Sequence, residues 1–554
     1  MWFKKSMGIL VGVGLVLAAC TGASPSSSAS TSAGPSAEPV AQVLRLNMSQ
    51  EPAHLDPVQA SDSISIQVLR SVTRPLAYFD ADLNVVPGLA DSWDVSPDGT
   101  TITFHLGTHS YSNGDPIVAG DFVYSWHKLM DPRVAADYAY VMDPVAGFGD
   151  AQAADPADNA AVDAALAATG VAAPDDKTFV VTLARPASYF VYIAALWIGA
   201  PEKPEFTYAE AADYVSSGPM MMQEWKHGSN IVLVQNPHWN AENPNDQANI
   251  DEIDLAMIND TTASLAAYEA DELDNTGVPR AEVARVKADP ILSGQIASGN
   301  VLSFSYYGFD LKDPNGPFTK SKLLRKAFNE ALDKDVLLNT VFKGIGTVAY
   351  SLVPPGMPGH QDTQFIPFDK AQALTDFNQA LTDLGLTKDT IHLELGYNVA
   401  GSNEDQAVFF QAQWKDAFGI DVKLTATEDF GSYLDRLSND PYDIFRLGWG
   451  ADYPHPNNFL TDLISCTSAN NNMAYCNPEV DALLASAAAK ATIAEQVPIY
   501  NQVQEMVMLD APIIPQLFGQ RFALIKPWVQ NFTITAQDSN SGELFYYKVS
   551  IAAH

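Results

Sequence analysis

Apolar and polar residues alternate in several short stretches of the chain. Thr100–Leu106, Lys177–Leu183, Asn230–Val234 and Asp421–Leu424 set their apolar side chains on one face, which predicts half-buried strands. Turn residues such as Ser96-Pro97-Asp98-Gly99 and Ser112-Asn113-Gly114-Asp115 separate them. Elsewhere the period is helical. Leu324, Phe328, Leu332 and Val336 follow Ser321, a good N-cap, so one helix is predicted from Ser321 through Val336. Pro478 opens another helix in its first turn. Thr492-Ile493-Ala494-Glu495 fits a capping box, and Pro498 predicts a kink or a later start there. Ala151–Ala173 is rich in Ala and Asp and reads as a surface excursion. Strands interleaved with helices predict a mixed α/β class with more than one lobe.

The N-terminus has a different pattern. Lys4 and Lys5 precede an apolar run from Met7 to Ala19. That run is shorter than the roughly 20 helical residues needed to span a bilayer, and has the flanks of a secretory signal. It ends in Leu17-Ala18-Ala19-Cys20, which resembles a bacterial lipobox with Cys20 as the lipidated residue. Residues 21–40 are rich in Ser, Thr, Ala, Gly and Pro with one charge, Glu38, and are expected to form a flexible tether. The expectation is a signal peptide over 1–19 and a lipidated, tethered start over 20–40, holding the body at the extracellular face of the cell membrane. No later stretch is apolar for long enough to span a bilayer.

Charge narrows the choice of partners. The 554 residues carry 31 Lys+Arg against 66 Asp+Glu, a formal net charge of −35. Losing residues 1–19 removes two lysines and leaves 29 against 66, or −37. Such acidity argues against nucleic acid, whose phosphates need clustered basic residues, and against charge-driven adhesion to anionic lipid. With Cys20 lipidated, Cys466 and Cys476 remain as a pair. In an exported protein a disulfide is the default, with two buried thiols as the alternative.

Motifs for catalysis are absent. There is no phosphate-binding Gly-x4-Gly-Lys-Ser/Thr loop, no Gly-x-Ser-x-Gly elbow and no His-Glu-x-x-His. Asp80–Asn84 starts like a calcium loop, but Val85 stands where Gly is required, so it reads as a turn. His105, in an alternating strand, is expected on the polar face, and the ten histidines suggest no metal cluster. No cofactor is expected, and the chain is not read as an enzyme.

A set of ordered segments then matches a known family. His54-Leu55-Asp56-Pro57, Pro87-Gly88-Leu89-Ala90-Asp91-Ser92-Trp93, Asn113-Gly114-Asp115-Pro116 and Ser217-Gly218-Pro219 come first. Leu324–Asp333, Gly448-Trp449-Gly450-Ala451-Asp452-Tyr453-Pro454-His455-Pro456-Asn457-Asn458-Phe459 and Asp510-Ala511-Pro512-Ile513-Ile514-Pro515 follow. Together they resemble the oligopeptide/dipeptide-binding class of bacterial ABC-importer solute-binding proteins, family 5, over about Val43 to Lys548. Gly107-Thr108-His109 departs from the basic residue that the family usually carries after that strand.

The resemblance implies a two-lobed, periplasmic-binding-protein-like α/β fold with an additional third domain. Lobe I would comprise 41–85, 205–300 and 525–554, the extra domain 86–204 and lobe III 301–524. It further implies that Asp452 holds a peptide's α-ammonium, that Arg446 meets the carboxylate of short peptides and that Trp449 lines a side-chain pocket. Gly450 and Tyr453 belong to the same loop, and Asp62 and Ser63 would also face the cleft. A local pairing of Arg446 with Asp443 stays open as an alternative.

Its expected partners are a peptide ligand, the transmembrane subunits of an ABC permease and the membrane through the lipid anchor, with the protein a monomer. Within the family the alternatives are oligosaccharides, nickel complexes, haem or opines. Outside it they are a tethered hydrolase, an adhesin or a peptide-sensing receptor.

Overall fold

A computed structural model describes residues 41–239 and 246–554. The signal segment, Cys20 and the tether lie outside the described residues. Three sheets organise the rest.

The first sheet joins Val43–Asn47 in parallel to Glu252–Ala256, followed by Asn230–Gln235 and Met220–Lys226 in antiparallel order. The second is antiparallel throughout, in the order Ala90–Val95, Thr101–Leu106, Thr178–Thr182 and Val171–Asp175. Its alternation is the one expected: Ile102, Phe104 and Leu106 are buried, whereas His105 is exposed with Nε2 2.9 Å from Asp94 Oδ2. The segment Ala151–Ala173 is more ordered than a surface excursion. It contains the end of helix Phe148–Ala153, helix Asn159–Ala167 and the start of the edge strand Val171–Asp175. Val162 and Leu166 bury one face of the second helix, and most of the alanines stay exposed. Asp80–Asn84 is a turn, with Asp80 Oδ1 accepting from the Asp82 and Asn84 N–H groups at 2.9 Å.

The third sheet has seven strands. Two are long, Ile296–Phe309 and Ile513–Ile525, and pair antiparallel along most of their length. The near half of this pair, Ile296–Asn300 on Leu524–Gln520, adjoins the short strand Asn275–Gly277. The register then slips between Asn300 and Phe304. The far half continues into Ile444–Gly450, Leu393–Asn398 and Val422–Thr427. A bulge in paired strands is where a sheet can bend, and this pair runs through both halves of the sheet.

Side chains alternate across the far half, giving it a core on each face. Phe304, Tyr306 and Leu447 pack with Phe459, Leu484 and Val503. Tyr307, Phe309 and Leu395 pack with Phe328, Phe377 and Trp414 on the other side. Helix Pro478–Ala488 starts at its Pro, and helix Ile493–Asp510 starts at the Thr492 capping box, so Pro498 lies inside it. The helix predicted from Ser321 to Val336 is broken. Lys322–Glu330 ends before Asp333, whose carboxylate caps a new helix, Lys334–Thr340, leaving Val336 41% exposed. The side-chain cap at Asp333 outweighs continuation of the apolar period.

Candidate functional site

The far half of the third sheet has an incomplete edge. Ile444–Gly450 pairs fully with Ile296–Phe309 on one side. On the other, Leu393–Asn398 reaches it only at Ile444 and Phe445. Tyr433 fills the next position: its hydroxyl accepts from Arg446 N–H at 3.1 Å and lies 2.8 Å from Arg446 C=O. Backbone groups alternate from side to side along a strand. Those of Gly448 and Gly450 therefore face the same edge as those of Arg446, and no strand among the described residues covers them. A Cβ built on Gly450 would meet nothing within 4 Å.

The edge leads directly to Asp452. Its N–H donates to Asn458 Oδ1 at 3.0 Å, and Asn458 Nδ2 returns a bond to Asp452 Oδ2 at 2.7 Å. Asn458 is fully buried near the start of helix Asn457–Ile464, so the carboxylate is held from behind. In front, Tyr138 donates to Oδ1 at 3.0 Å and Tyr140 to Oδ2 at 2.7 Å. Both tyrosines come from the turn Asp137–Met142, beside the second sheet, so they reach Asp452 across the molecule. Burial raises the Asp452 pKa, while the hydrogen bonds from Tyr140, Asn458 and Tyr138 oppose the rise. No cation pairs with Asp452 among the described residues. Three donors leave roughly one of a carboxylate's four acceptor positions open.

Arg446 stands at the other end of the open edge. It makes no ion pair among the described residues, and its buried Nε has no partner. Burial lowers its pKa. Asp443, the local acid considered for it, instead accepts from Glu394 N–H at 2.7 Å. Arg446, Gly448 and Trp449 line a cavity of about 360 Å³. This cavity shares Arg280, Ser303, Ile345, Gly519 and Gln520 with a second of about 670 Å³, which extends to Asn47, Gln67 and Tyr546. The floor is made of small residues, with Ser305 paired to Gly448 and Ser303 to Gly450. The combined space lies between the first and third sheets, and each cavity falls in the usual size range of ligand pockets.

The other expected residues fall elsewhere. Asp62 is the N-cap of helix Ser63–Val72, and its carboxylate accepts from Ile64 and Ser65 N–H at 3.0 and 2.9 Å. Ser63 is the exposed first residue of that helix. Helix initiation accounts for both. Tyr453 is buried and stacks on Tyr189, with ring centroids 6.1 Å apart. It lines a separate cavity of about 730 Å³ between helix Asn457–Ile464 and the Tyr140 turn. Cys466 and Cys476 form a disulfide whose loop, Thr467 to Asn470, borders that cavity. Tyr138, Tyr140, Arg280 and Arg521 were not singled out in the sequence. They lie far from the motif along the chain and carry no local pattern. Asn458 lies inside the motif, but its side-chain role is visible only in three dimensions.

A family description, bacterial extracellular solute-binding proteins, family 5 middle, matches residues 84–471. The chain belongs to this family. It is 30% identical over 504 residues to the oligopeptide-binding protein OppA of Bacillus subtilis, covering 88% of each chain. Among solved structures, Haemophilus influenzae OppA in complex with the peptide RPPGFSPFR superposes with a TM-score of 0.74 at 26% identity. The match covers 93% of this chain and 100% of that one. The Escherichia coli murein tripeptide-binding protein MppA also gives 0.74 at 26% identity, covering 93% and 99%. These neighbours share the two-lobed α/β fold with an extra domain, and the three sheets of this family 5 protein are its counterpart. Among the described residues no helix is long and apolar enough to cross a membrane.

Proposed function

We propose that this protein is a lipid-anchored receptor that captures peptides between its lobes and delivers them to an ABC importer. The observation that carries the reading is the uncovered strand edge at Gly448 and Gly450, ending at Asp452. An extended peptide laid on that edge recovers backbone hydrogen bonds that do not depend on its sequence. Its amino terminus then meets a carboxylate already oriented by Asn458. An ammonium entering a closed cleft loses hydration, and a fixed carboxylate replaces it through a charge-assisted bond.

Arg446, without an acid partner, is suited to a ligand carboxylate, and its planar fork matches that group. From Gly448 to Asp452 the edge spans four residue steps, or about 13 Å at ~3.3 Å per residue. That length accommodates the backbone of three or four ligand residues. The Trp449 ring offers apolar surface beside it. Peptide binding by the relatives named above supports the same reading.

Lipidation at Cys20 and delivery to a permease rest on the lipobox and the family. Isothermal titration against free di- to decapeptides tests the ligand. Binding to several peptides is expected, and tight binding to an oligosaccharide with none to any peptide would overturn it. Cys20→Ser should release the protein from the envelope fraction, and full retention would contradict the anchor.

A further inference from the structure

The two connected cavities reverse the charge of the chain. Overall, acidic residues outnumber basic ones 66 to 31. Yet among the described residues lining these cavities there is no Asp, Glu, Lys or His, and there are three arginines: Arg280, Arg446 and Arg521. Arg280 borders both cavities, Arg446 the smaller and Arg521 the larger. The separate 730 Å³ cavity provides the contrast, since Asp137, Asp143 and Asp462 line it with one arginine, Arg185.

None of the three cleft arginines makes an ion pair with a carboxylate in the described residues. Arg280 rests over the Phe342 ring at 5.2 Å, and its Nη1 reaches only the Val341 carbonyl, at 3.4 Å. Arg446 has a buried, unpartnered Nε. Arg521 donates to the carbonyls of Asp538 and Ser539, and its buried Nε has no partner. Acids do lie behind Arg521: Glu543 feels its charge without an ion-pair contact, and both acids take their hydrogen bonds from other groups. Glu543 pairs with Arg70 at 3.2 Å and accepts from Ser539 and Asn540 N–H at 2.9 Å. Asp538 accepts from Thr535 and Gly542 N–H at 3.0 Å.

Arg446 and Arg521, half-buried and without an ion pair, are costly unless a ligand supplies anions, and exposed Arg280 adds a third positive charge where the two cavities meet. A peptide's C-terminal carboxylate accounts for one arginine and leaves two. We infer that the cleft is built for multiply anionic peptides, with Arg280 and Arg521 receiving acidic side chains beyond the ligand's first residue. This inference rests on the peptide-binding reading and adds a substrate class to it. The acidic exterior is consistent with this arrangement, because it leaves the cleft as the place where an anionic ligand is attracted.

The test is titration of the full-length protein with Ala-Ala-Ala-Ala, Ala-Ala-Glu-Glu, Ala-Ala-Lys-Lys and N-acetyl-Ala-Ala-Glu-Glu, at low and high salt. The diglutamate peptide is expected to bind at least ten-fold tighter than the alanine peptide, and the dilysine peptide weaker than both. The advantage should shrink in high salt. Arg280→Gln should reduce that advantage several-fold. Because Arg280 is exposed, this variant is expected to fold even if Arg521→Gln does not. Equal binding of the alanine and diglutamate peptides, or preference for dilysine, overturns the inference while leaving peptide capture intact. Undiminished binding of the acetylated acidic peptide supports the cationic cleft and removes the Asp452 contact. Binding to none of the four overturns both.

Discussion

Asp452 and Asp462 share one hydrogen-bond donor: Asn458 Nδ2 lies 2.7 Å from Asp452 Oδ2 and 2.8 Å from Asp462 Oδ2. Two carboxylates on one amide, with no cation beside them, cannot both ionise cheaply. Burial first, and the Asp452 charge second, push the Asp462 pKa up to about 7. The pair should therefore titrate as a unit.

The pH dependence of stability follows from that shift. An unfolded Asp ionises near pH 4, whereas folded Asp462 keeps its proton to about pH 7. Between these values the native state binds more protons, so the stability contributed below pH 4 is lost as pH rises through 7. Asp452 shifts in the same direction. Asp462→Asn keeps an acceptor for Asn458 and removes one charge. It should leave stability near pH 4 unchanged and raise it at pH 8 by on the order of 2–4 kcal/mol. Denaturant melts across that range measure both limits.

Tyr138 and Tyr140 tie the turn Asp137–Met142 to Asp452. Hydrogen bonds to a charged acceptor contribute about 1.5–3 kcal/mol each. The double variant Tyr138→Phe/Tyr140→Phe should favour an open state without ligand, seen as a larger radius of gyration in X-ray scattering, and weaken peptide binding at least ten-fold. An unchanged radius and unchanged affinity would mean that other contacts hold the lobes, such as the Tyr189–Tyr453 stack.

The Cys466–Cys476 disulfide closes a loop with a sequence separation of 10. By loop entropy, replacing both cysteines with Ser should cost roughly 2–3 kcal/mol. Because the loop borders the 730 Å³ cavity rather than the strand edge, peptide affinity should change by less than about three-fold. Thermal melts with and without reductant, paired with titration, separate the two effects.

The strands with clear alternation, such as Thr101–Leu106 and Thr178–Thr182, were legible because the period of two is a local property. The helix beyond Ser321 was overextended because the apolar period continues past Asp333, while the cap that ends it depends on one carboxylate. Asp62 carried the same kind of signal, an acid directly before a helix, which explains its capping role better than any cleft contact. Within the site, Arg446 and the Gly448–Phe459 segment were legible, through their family resemblance. Tyr138 lies 314 residues from Asp452 in sequence, and no spacing rule links them. Arg280 and Arg521 were equally hidden, because they come from segments far from Arg446 in a chain whose composition is acidic.

In the proposed function, Asp452 holds the amino terminus of a bound peptide. The most direct measurement is a paired titration of one tetrapeptide, free and N-acetylated, against the native protein and Asp452→Asn. The native protein should bind the free peptide at least a hundred-fold more tightly, about 3 kcal/mol, as expected for stranding one partner of a buried charge pair. In Asp452→Asn that gap should nearly vanish. Equal affinity of the native protein for both peptides, or the same gap in the variant, would rule out this contact.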